Sequence, residues 1–443
     1  MSAAHAQEAI GLLQGLLRIN TVNPPGNERP AQELLASRLR HAGLEVTMVG
    51  DDASRPNLVA RLRGQADGPV LGLLSHVDTV LAEPEGWRHG PWSGALDEGC
   101  VWGRGALDMK SQTAAEAVAI CSLAREGWRP ARGDLVLISV ADEEEGGTGA
   151  EWVCAERPEL VRCDFLLNEG AGEALPVGSE RIYAVSVAEK GVFRFTLSTE
   201  GVAGHASLLG ADNALLKLAP LLEAMATGRP GWDVTPGPRA LLAGLGLDVD
   251  GDPGAALGTL AERSPGLALL AEAMMRVTLA PTMVDASRAM NVIPETARLH
   301  VDCRVPPGMD EPEVTARLRE VLGTDGYRLD YTESLVGNAS TVESPLMDAL
   351  GDWVSATDPG ARCLPTVSVG YSDSRTFRAA FPDCVAYGFF PHRHMPLSQV
   401  TALPHARNER IDVRDLALAV ECYRSVACSL LGGQAKRGST SRA

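Results

Sequence analysis

The sequence predicts an α/β protein with a mostly parallel sheet, into which a smaller α+β domain is inserted. Apolar runs that are typical of buried strands occur at 70–74, 135–141 and 165–167. A long helical pattern, 111–126, separates the first two runs, and strands that alternate with helices are typical of a parallel sheet. From about residue 190 the strand patterns alternate apolar and polar residues, as in a sheet with one solvated face.

The other elements follow in chain order from periodicity and turn residues. Helices are predicted at 5–19, 29–41, 111–126, 213–226, 311–322, 345–356 and 413–431. Strands are predicted at 44–49, 57–62, 70–74, 135–141, 165–167, 193–199, 291–305, 327–331 and 385–390. The segment NPPGNE at 23–28 is a turn by composition, and the tail 432–443 is predicted to be disordered.

The change of pattern sets the predicted domain limits. The chain has 443 residues, which suits two domains. Residues 1–189 and 336–443 are predicted to form the two parts of the main domain. Residues 190–335 are predicted to form the inserted domain, with a βαββαβ-like order of elements and a stretch at 227–282 that is rich in Gly, Pro, Ala and Leu.

Composition excludes several kinds of partner. The formal net charge is −17, and an acidic surface repels nucleic acid and anionic lipid. No apolar run reaches 18 residues, and the first 20 residues have the pattern of an amphipathic helix, so neither a membrane span nor a signal peptide is expected. The nine cysteines are scattered and never form a CxxC pair, which favours reduced thiols and a cytoplasmic location.

Chemically useful side chains follow each of the three apolar runs. His76 and Asp78 end the first and point the same way, because side chains alternate along a strand. The second runs into the four acids at 142–145, the third into Glu169, and Asp108 stands just before the helical pattern. Ligands of such sheets bind outside the carboxyl ends of the strands, so we expect these residues to converge.

Carboxylates together with imidazoles are ligands that suit Zn²⁺, Mn²⁺ or Co²⁺. A hydrolytic metal site also needs an open position for water and a carboxylate that takes the proton of the water. The residues alone leave the ligand set open, because a single acid after a strand is also typical of a loop or helix cap. The candidates are His76, Asp108, one or two of Glu143, Glu144 and Glu145, Glu169, and a later histidine.

Seven segments carry a resemblance to a known family: SHVDTV, GRGALDMK, ADEEEGG, NEG, GVAGHAS, AMNVIPETARLHVDCRVPPG and HARNERI. In this order they resemble the zinc aminoacylase and glutamate-carboxypeptidase family of metallopeptidases. That family includes acetylornithine deacetylase and succinyl-diaminopimelate desuccinylase. The resemblance runs from the NPPGNE turn to the last helix. It implies a di-zinc exopeptidase-like catalytic domain and an inserted lid or dimerisation domain.

The resemblance implies two divalent metal ions, with Zn²⁺ favoured and Co²⁺ or Mn²⁺ as alternatives. Carried over residue by residue, Asp108 bridges the two ions. His76 and Glu169 complete one site, and Glu144 and His405 complete the other. His394, in the segment PHRHMP, is the alternative to His405.

The same carry-over assigns the catalytic residues. Gly146 and Gly147 set the register of the acidic run, which makes Glu143 the general base. Asp78 becomes the partner that orients His76, as carboxylates behind metal-bound histidines do. His205, in GVAGHAS, is the group that stabilises the oxyanion. The peptide after the bridging aspartate is expected to be cis.

The substrate residues are also implied by resemblance. Asn291 and Arg304 match positions that hold the carboxylate of the substrate, which suits the bidentate fork of arginine. Gly370 and Ser372 lie in a segment that resembles the Gly-rich substrate loop of the family. Tyr371 stands there where several relatives carry a threonine, so their substrate choice does not transfer directly. His205 reaches the neighbouring subunit in dimeric relatives, which makes a homodimer through the inserted domain an expectation.

The predicted function is metal-dependent hydrolysis of an amide bond next to a free carboxylate. The expected substrate is a small molecule, either a peptide or an N-acyl amino acid with an apolar acyl part. The alternatives are a deacetylase or desuccinylase of amino-acid biosynthesis, and a non-catalytic interaction protein on the same fold. The last alternative is disfavoured because no ligand position of the motif set is lost.

Overall fold

The computed structural model describes residues 3–208 and 212–433. Most of the tail that was predicted to be disordered, from residue 434 onward, lies outside the described residues. The chain divides into two compact units. The first comprises Met1–Val187, Ser340–Pro365 and Ser372–Ala443, and the second comprises Ala188–Ala339 and Thr366–Tyr371.

The strands are numbered in chain order. They are β1 (Glu45–Val49), β2 (Asn57–Arg63), β3 (Val70–His76), β4 (Ala95–Asp97), β5 (Cys100–Trp102), β6 (Asp134–Val140), β7 (Phe165–Asn168), β8 (Ala174–Val177), β9 (Glu180–Glu189), β10 (Gly191–Glu200), β11 (Gly204–His205), β12 (Thr278–Asp285), β13 (Val292–Ile293), β14 (Thr296–Val305), β15 (Arg328–Leu335), β16 (Ala361–Ser368), β17 (Val385–Gly388) and β18 (Arg410–Asp412).

The helices are numbered in the same way, and a short 3₁₀ helix spans Leu215–Leu218. The α-helices are α1 (Ala3–Leu17), α2 (Arg29–His41), α3 (Lys110–Arg125), α4 (Thr148–Glu156), α5 (Pro158–Val161), α6 (Ala219–Thr227), α7 (Pro236–Gly244), α8 (Pro253–Arg263), α9 (Pro265–Met274), α10 (Glu311–Leu322), α11 (Pro345–Thr357), α12 (Asp373–Ala380), α13 (Leu397–Val400) and α14 (Val413–Leu431).

The first unit is organised around a large mixed sheet. Its strands follow the order β1-β2-β6-β3-β7-β17-β9-β16, with β8 beside β9. The four central strands, β6, β3, β7 and β17, run parallel, and β1, β2 and β9 pair antiparallel at the flanks. The predicted α/β fold with a mostly parallel central sheet is therefore confirmed.

Helices pack on the central strands and fix where they end. Helix α3 is buried along nearly its whole length and packs against α1 and α14. Apolar side chains of β3, β6 and β7 form a hydrophobic cluster with α4 and α12. In this cluster Leu74, Ile138, Leu166 and Phe377 are fully buried. Because the parallel strands are held by packing on helices, their carboxyl ends form a rigid edge on which side chains can be placed.

The second unit contains a four-stranded antiparallel sheet in the order β12-β14-β10-β15. Along the chain its elements follow a strand–helix–strand–strand–helix–strand order, and side chains of the sheet and of helices α6 and α10 form its core. The stretch 227–282 was left without predicted elements, and it forms helices α7, α8 and α9 and the start of β12. The inserted domain was predicted over 190–335, whereas the compact unit runs from Ala188 to Ala339.

Prolines explain two differences from the predicted elements. The strand predicted at 291–305 is split into β13 and β14, and Pro294 lies at the break. Proline has no N–H for a ladder hydrogen bond. The helix predicted at 213–226 begins as the short 3₁₀ helix, and α6 then starts with Pro220 in its first turn, where a missing N–H costs nothing.

Two further observations concern membrane-spanning helices and disulfide bonds. No helix within the described residues has both the length and the apolar character needed to cross a membrane. All nine cysteines lie in the described part of the chain, and none forms a disulfide.

Candidate active site

The candidate site lies at the carboxyl edge of the central strands in the first unit. His76 is the last residue of β3 and pairs in register with Val140, the last residue of β6. Glu143 and Glu144 follow β6, and Glu169 follows β7, whose neighbour is β3. The three predicted strand ends therefore meet at one place, as the sequence indicated.

Asp108 lies between the two predicted histidine ligands. Its Oδ1 atom is 3.3 Å from His76 Nε2, and its Oδ2 atom is 3.0 Å from His405 Nε2. One carboxylate thus presents a different oxygen to each imidazole. The peptide Asp108–Met109 is cis, as the resemblance implied.

The other predicted carboxylates surround these histidines. Glu144 Oε2 is 3.2 Å from His405 Nε2. On the other side, Glu143 Oε2 and Glu169 Oε1 lie 3.9 and 4.0 Å from His76 Nε2. Two groups have possible ligand atoms that all lie within 4.8 Å of one another: His76 with Glu143 and Glu169, and His76 with Asp108 and Glu144.

The electrostatics of the cluster fit divalent cations. Burial raises the pKa of Glu143 and Glu169 well above the usual range, and neighbouring carboxylates add to the shift. Burial opposes the charge of His76 and Asp108. A hydrogen bond with Asp108 nevertheless raises the pKa of His76, and hydrogen bonds with His405 and His76 lower the pKa of Asp108. Hydrogen bonds to Asp108 and Glu144 raise the pKa of His405 to about 10. Burial and like charge disfavour the ionised forms of Glu143 and Glu169, and a divalent cation beside them would offset that negative charge.

Asp78 contacts His76 on the side away from Asp108. His76 Nδ1 is 3.1 Å from the backbone oxygen of Asp78 and 3.3 Å from its Oδ1 atom. A hydrogen bond at Nδ1 directs Nε2 towards Asp108. The Asp78 carboxylate also accepts hydrogen bonds from the backbone N–H groups of Glu143 and Glu144, so it is tied to the loop of the predicted general base.

Asn23 contacts the candidate site but was not predicted from the sequence, since NPPGNE was read only as a turn. Its Nδ2 atom donates to Asp78 Oδ2 at 2.9 Å and to Asp142 Oδ1 at 2.8 Å. Burial would raise the pKa of both carboxyls, but hydrogen bonds, including those from Asn23, hold both below the usual range. The Asn23 backbone N–H donates to Thr79 O, which fixes the turn beside the segment that carries Asp78.

The network continues from Asn23 towards the surface. Arg55 Nη2 lies 2.9 Å from Asp142 Oδ1 and 2.6 Å from Oε1 of Glu28, which is fully buried. Asp142 has a positive φ of 67°, and its side chain is held on both sides by these donors. The sequence reading of Asp142 as structural agrees with these contacts. In the sequence, the turn composition of NPPGNE was the only signal for this network.

Glu409 is the second residue that the sequence reasoning missed, although it lies in the HARNERI segment. It is completely buried, and it accepts hydrogen bonds from the backbone N–H groups of Gly105, Leu107 and Asp108. Arg104 pairs with Glu409 at 2.5 Å and also donates to the backbone oxygen of His405 at 3.0 Å. One buried ion pair thus holds the loops of the central aspartate and of the second histidine.

The second unit brings together only some of its predicted residues. His205 lies on β11 opposite Val292, and the neighbouring Ala206 N–H donates to Asn291 O. Both predicted side chains are exposed. These residues lie near the end of β14 that begins at Thr296.

Arg304 lies at the opposite end of β14, eight residues along the strand. At about 3.3 Å per residue this is roughly 26 Å away. Its Nε atom donates to Asp302 Oδ1 at 2.7 Å and its Nη2 atom to Asp302 Oδ2 at 3.2 Å. The guanidinium that was predicted to hold the substrate therefore already contacts an acid of its own strand, which leaves Nη1 for another partner.

The remaining predicted residues have structural partners. Ser372 is the buried N-cap of α12, and its Oγ accepts a hydrogen bond from Asn168, the last residue of β7. Gly370 lies just before it, between β16 and α12. The side chain of His394, the alternative ligand, is exposed, and its backbone N–H donates to Asp415.

The family model of peptidase family M20/M25/M40 matches residues 72–429. This range includes the carboxyl ends of β3, β6 and β7, where the candidate site lies. The chain belongs to peptidase family M20/M25/M40. As a member of that family it is a metal-dependent hydrolase of amide bonds, and the predicted family is confirmed.

Curated relatives in this family carry different activities. A succinyl-diaminopimelate desuccinylase of Alkalilimnicola ehrlichii is 29% identical over 96% of this chain and 100% of the relative. A probable carboxypeptidase S-like protein of Dictyostelium discoideum is 26% identical over 70% of this chain and 62% of the relative. The N-fatty-acyl-amino acid synthase/hydrolase of Mus musculus is 24% identical over 77% of this chain and 70% of the relative.

Solved M20 structures share the fold. The M20 family metallo-carboxypeptidase of Sulfolobus solfataricus superposes with a TM-score of 0.70 at 19% identity, over 96% of this chain and 99% of that chain. A dinuclear metal-binding M20 peptidase of Bacillus subtilis superposes with a TM-score of 0.61 at 15% identity, over 97% and 99%. At these identities the likeness shows the fold alone.

We predict that Asn23→Asp weakens metal binding at least as much as Asn23→Ala, although aspartate has nearly the size of asparagine. The substitution removes the shared donor and puts a third carboxylate between Asp78 and Asp142. Outer partners of metal ligands are worth about 10- to 100-fold in affinity or activity. Competition with a coloured chelator measures the affinity.

The matched control is Asn20→Asp, which adds the same charge at an exposed position three residues away. We expect this control to bind metal like the wild type. Unchanged metal affinity in Asn23→Asp, with the protein folded, would remove Asn23 from the site.

Proposed function

We propose that the protein is a two-metal hydrolase that cleaves an amide bond next to a free carboxylate, as a peptidase or an N-acyl-amino-acid deacylase. The observation that carries the proposal is the position of Asp108, with one oxygen towards His76 and the other towards His405. A carboxylate between two imidazoles is suited to bridge two cations. Glu169 and Glu144 lie beside the two histidines and complete the donor sets.

Zn²⁺ is the ion that we favour, since carboxylates with one imidazole per site suit it, while Co²⁺ and Mn²⁺ accept the same donors. When bound, such ions acidify water and polarise a carbonyl group. Other residues of the chain orient and hold the proposed ligands. Asp78 holds His76 in one orientation, and Glu409 and Arg104 hold the loops of Asp108 and His405.

Glu143 is proposed as the general base. Its carboxylate is buried beside His76, and burial together with the neighbouring Glu169 favours its protonated form. A raised pKa makes the ionised carboxylate a stronger base, so the Glu143 carboxylate can take a proton from the attacking water and return it to the leaving amine. Its backbone N–H donates to Asp78, so the same aspartate positions both the histidine and the base.

The substrate class is proposed from the predicted carboxylate partners, Arg304 and Asn291. We favour amino-acid derivatives with apolar acyl parts, because the relatives include an N-fatty-acyl-amino acid synthase/hydrolase and a probable carboxypeptidase S-like protein. The desuccinylase relative keeps deacylation of diamino acids as the alternative. A non-catalytic protein on this fold would be expected to have lost ligands, whereas all five are present. Reduced cysteines support a cytoplasmic location.

A homodimer through the inserted domain is part of the proposal. His205 and Asn291 lie at one end of β14, and Arg304 lies about 26 Å away at the other. One active site holds a small substrate and cannot use both ends at once. In a symmetric dimer the inserted domains of the two chains can contribute different residues to one site, so a dimer accommodates both assignments.

We predict that Glu143→Gln lowers turnover by about 10²- to 10⁴-fold, because the amide cannot accept the proton of water. The number of bound ions should stay at the wild-type value, since the variant keeps the proposed ligands. Initial rates with an N-acyl amino acid and elemental analysis of the same sample measure both quantities. The neighbouring Glu145→Gln is the control, because Glu145 is exposed and should be dispensable. A fully active Glu143→Gln would contradict the assignment.

The dimer predicts complementation between two inactive variants. Coexpressed His205→Ala and Glu143→Gln chains should form mixed dimers in which one of the two sites has both groups. Random pairing then restores about a quarter of the wild-type activity. Purification with two different affinity tags isolates the mixed dimer for the assay. A mixed dimer as inactive as its parents would show that His205 does not act across the subunits, and a monomer in light scattering would exclude the dimer.

A further inference from the structure

A cavity of about 200 Å³ opens beside the candidate metal centre, within the first unit. Its walls come from the start of α3, from the loop after β7 and from the loop after β17. Asp108 and Glu169 form the wall that faces the centre. The cavity is below the roughly 300–1,000 Å³ of pockets for drug-sized ligands, so it suits a small group.

Strand order places this cavity on the side of the centre away from Glu143. The central strands follow the order β6-β3-β7-β17, and Glu143 follows β6. The cavity lies beyond β7, between the loops that follow β7 and β17. The proposed reaction returns a proton from Glu143 to the leaving amine, so the nitrogen of the amide faces Glu143. The acyl part of the substrate then extends to the opposite side, towards the cavity.

Two polar residues of the cavity wall, Glu173 and Gln112, offer hydrogen-bond acceptors. Glu173 lies in its wall, and among the described residues no basic side chain forms an ion pair with it. Gln112 donates its Nε2 hydrogen to the buried Glu116 at 2.9 Å, which leaves its carbonyl oxygen as an acceptor. No lysine or arginine is among the residues that line the cavity.

His392 is the fifth polar residue of the wall and is about nine-tenths buried. Its Nδ1 atom has no hydrogen-bond partner, and the nearest acid, Asp415, is 3.9 Å away. Burial lowers the pKa of His392 to about 3, so the ring is neutral and offers no charge to an anion. The remaining wall is apolar and includes Met109, Phe390 and Val400.

We propose that this cavity is the subsite for the acyl part of the substrate, and that it selects small apolar acyl groups that carry an α-ammonium. Such groups are the N-terminal residues of peptides. The carboxylate of Glu173 and the neighbouring acceptors can pair with an ammonium group. An acyl group that ends in a carboxylate, such as succinyl, would meet Glu173 without a counter-charge, which is costly in a partly buried site.

The inference rests on the proposed amide hydrolysis and narrows it to peptides. Four substrates with one common leaving amino acid, leucine, test it: the L-alanyl, N-propionyl, N-succinyl and N-decanoyl derivatives. Alanyl and propionyl groups have nearly the same shape and differ by the ammonium. We expect kcat/KM to be about ten- to hundredfold higher for alanyl than for propionyl, since hydrogen bonds to charged groups have this worth. Succinyl and decanoyl derivatives should be poorer still.

Glu173→Gln tests the residue that carries the selectivity. The variant should lose the preference for alanyl over propionyl, measured as the ratio of the two kcat/KM values, and an unchanged melting temperature reports correct folding. Glu156→Gln, which removes an exposed carboxylate on α4, is the matched control and should keep the preference. Calorimetry on proteins that also carry Glu143→Gln measures binding without turnover. In this background Glu173→Gln should raise the dissociation constant for alanyl-leucine.

The outcomes separate the inference from the function on which it rests. No hydrolysis of any of the four substrates by the metal-loaded protein would contradict the proposed function. Hydrolysis with succinyl or decanoyl preferred, or an unchanged alanyl preference in Glu173→Gln, would overturn the subsite while leaving the amidohydrolase in place.

Discussion

The site depends on the accumulation of negative charge at one edge of a buried sheet. Asp78, Asp108, Glu143, Glu144 and Glu169 all lie around the two histidines, and Asp78 is fully buried. Like charges this close raise each other's pKa and cannot all ionise without compensation. The chain offsets part of the charge with imidazoles, backbone N–H groups and the Asn23 amide. Divalent cations can compensate the negative charge that remains.

Two supports on opposite sides keep this charge in one geometry. Asn23 joins Asp78 to Asp142, and Arg55 continues that network towards the surface. Across the site, the buried ion pair of Arg104 and Glu409 holds the loops of Asp108 and His405. Side chains that buried hydrogen bonds and ion pairs hold in place need little reorganisation, which is how a rigid scaffold favours a reaction.

The sequence could predict the parts of the site that are local. His76 and Asp78 end one apolar run, and their common direction follows from the alternation of strand side chains. The contacts of Asn23 and Glu409 were not predicted because their partners are distant in the chain. Asn23 is 55 residues from Asp78, and Glu409 is 301 residues from Asp108. No periodicity encodes such pairs. β9 and β16, which extend the sheet beyond β17, and the helices at 227–282 were missed for a similar reason, since tertiary packing overrides weak local preferences. The roles of Arg304 and Ser372 rested on resemblance, which did not show that Asp302 and Asn168 already contact them.

The central claim is that the carboxylate of Asp108 is shared between two cations. Anomalous X-ray scattering at the zinc edge, from crystals of the zinc-loaded protein, tests it most directly. The account predicts two peaks in each chain, one on either side of Asp108, with His76 at one ion and His405 at the other. A single peak, or two peaks of which one does not contact Asp108, would contradict it.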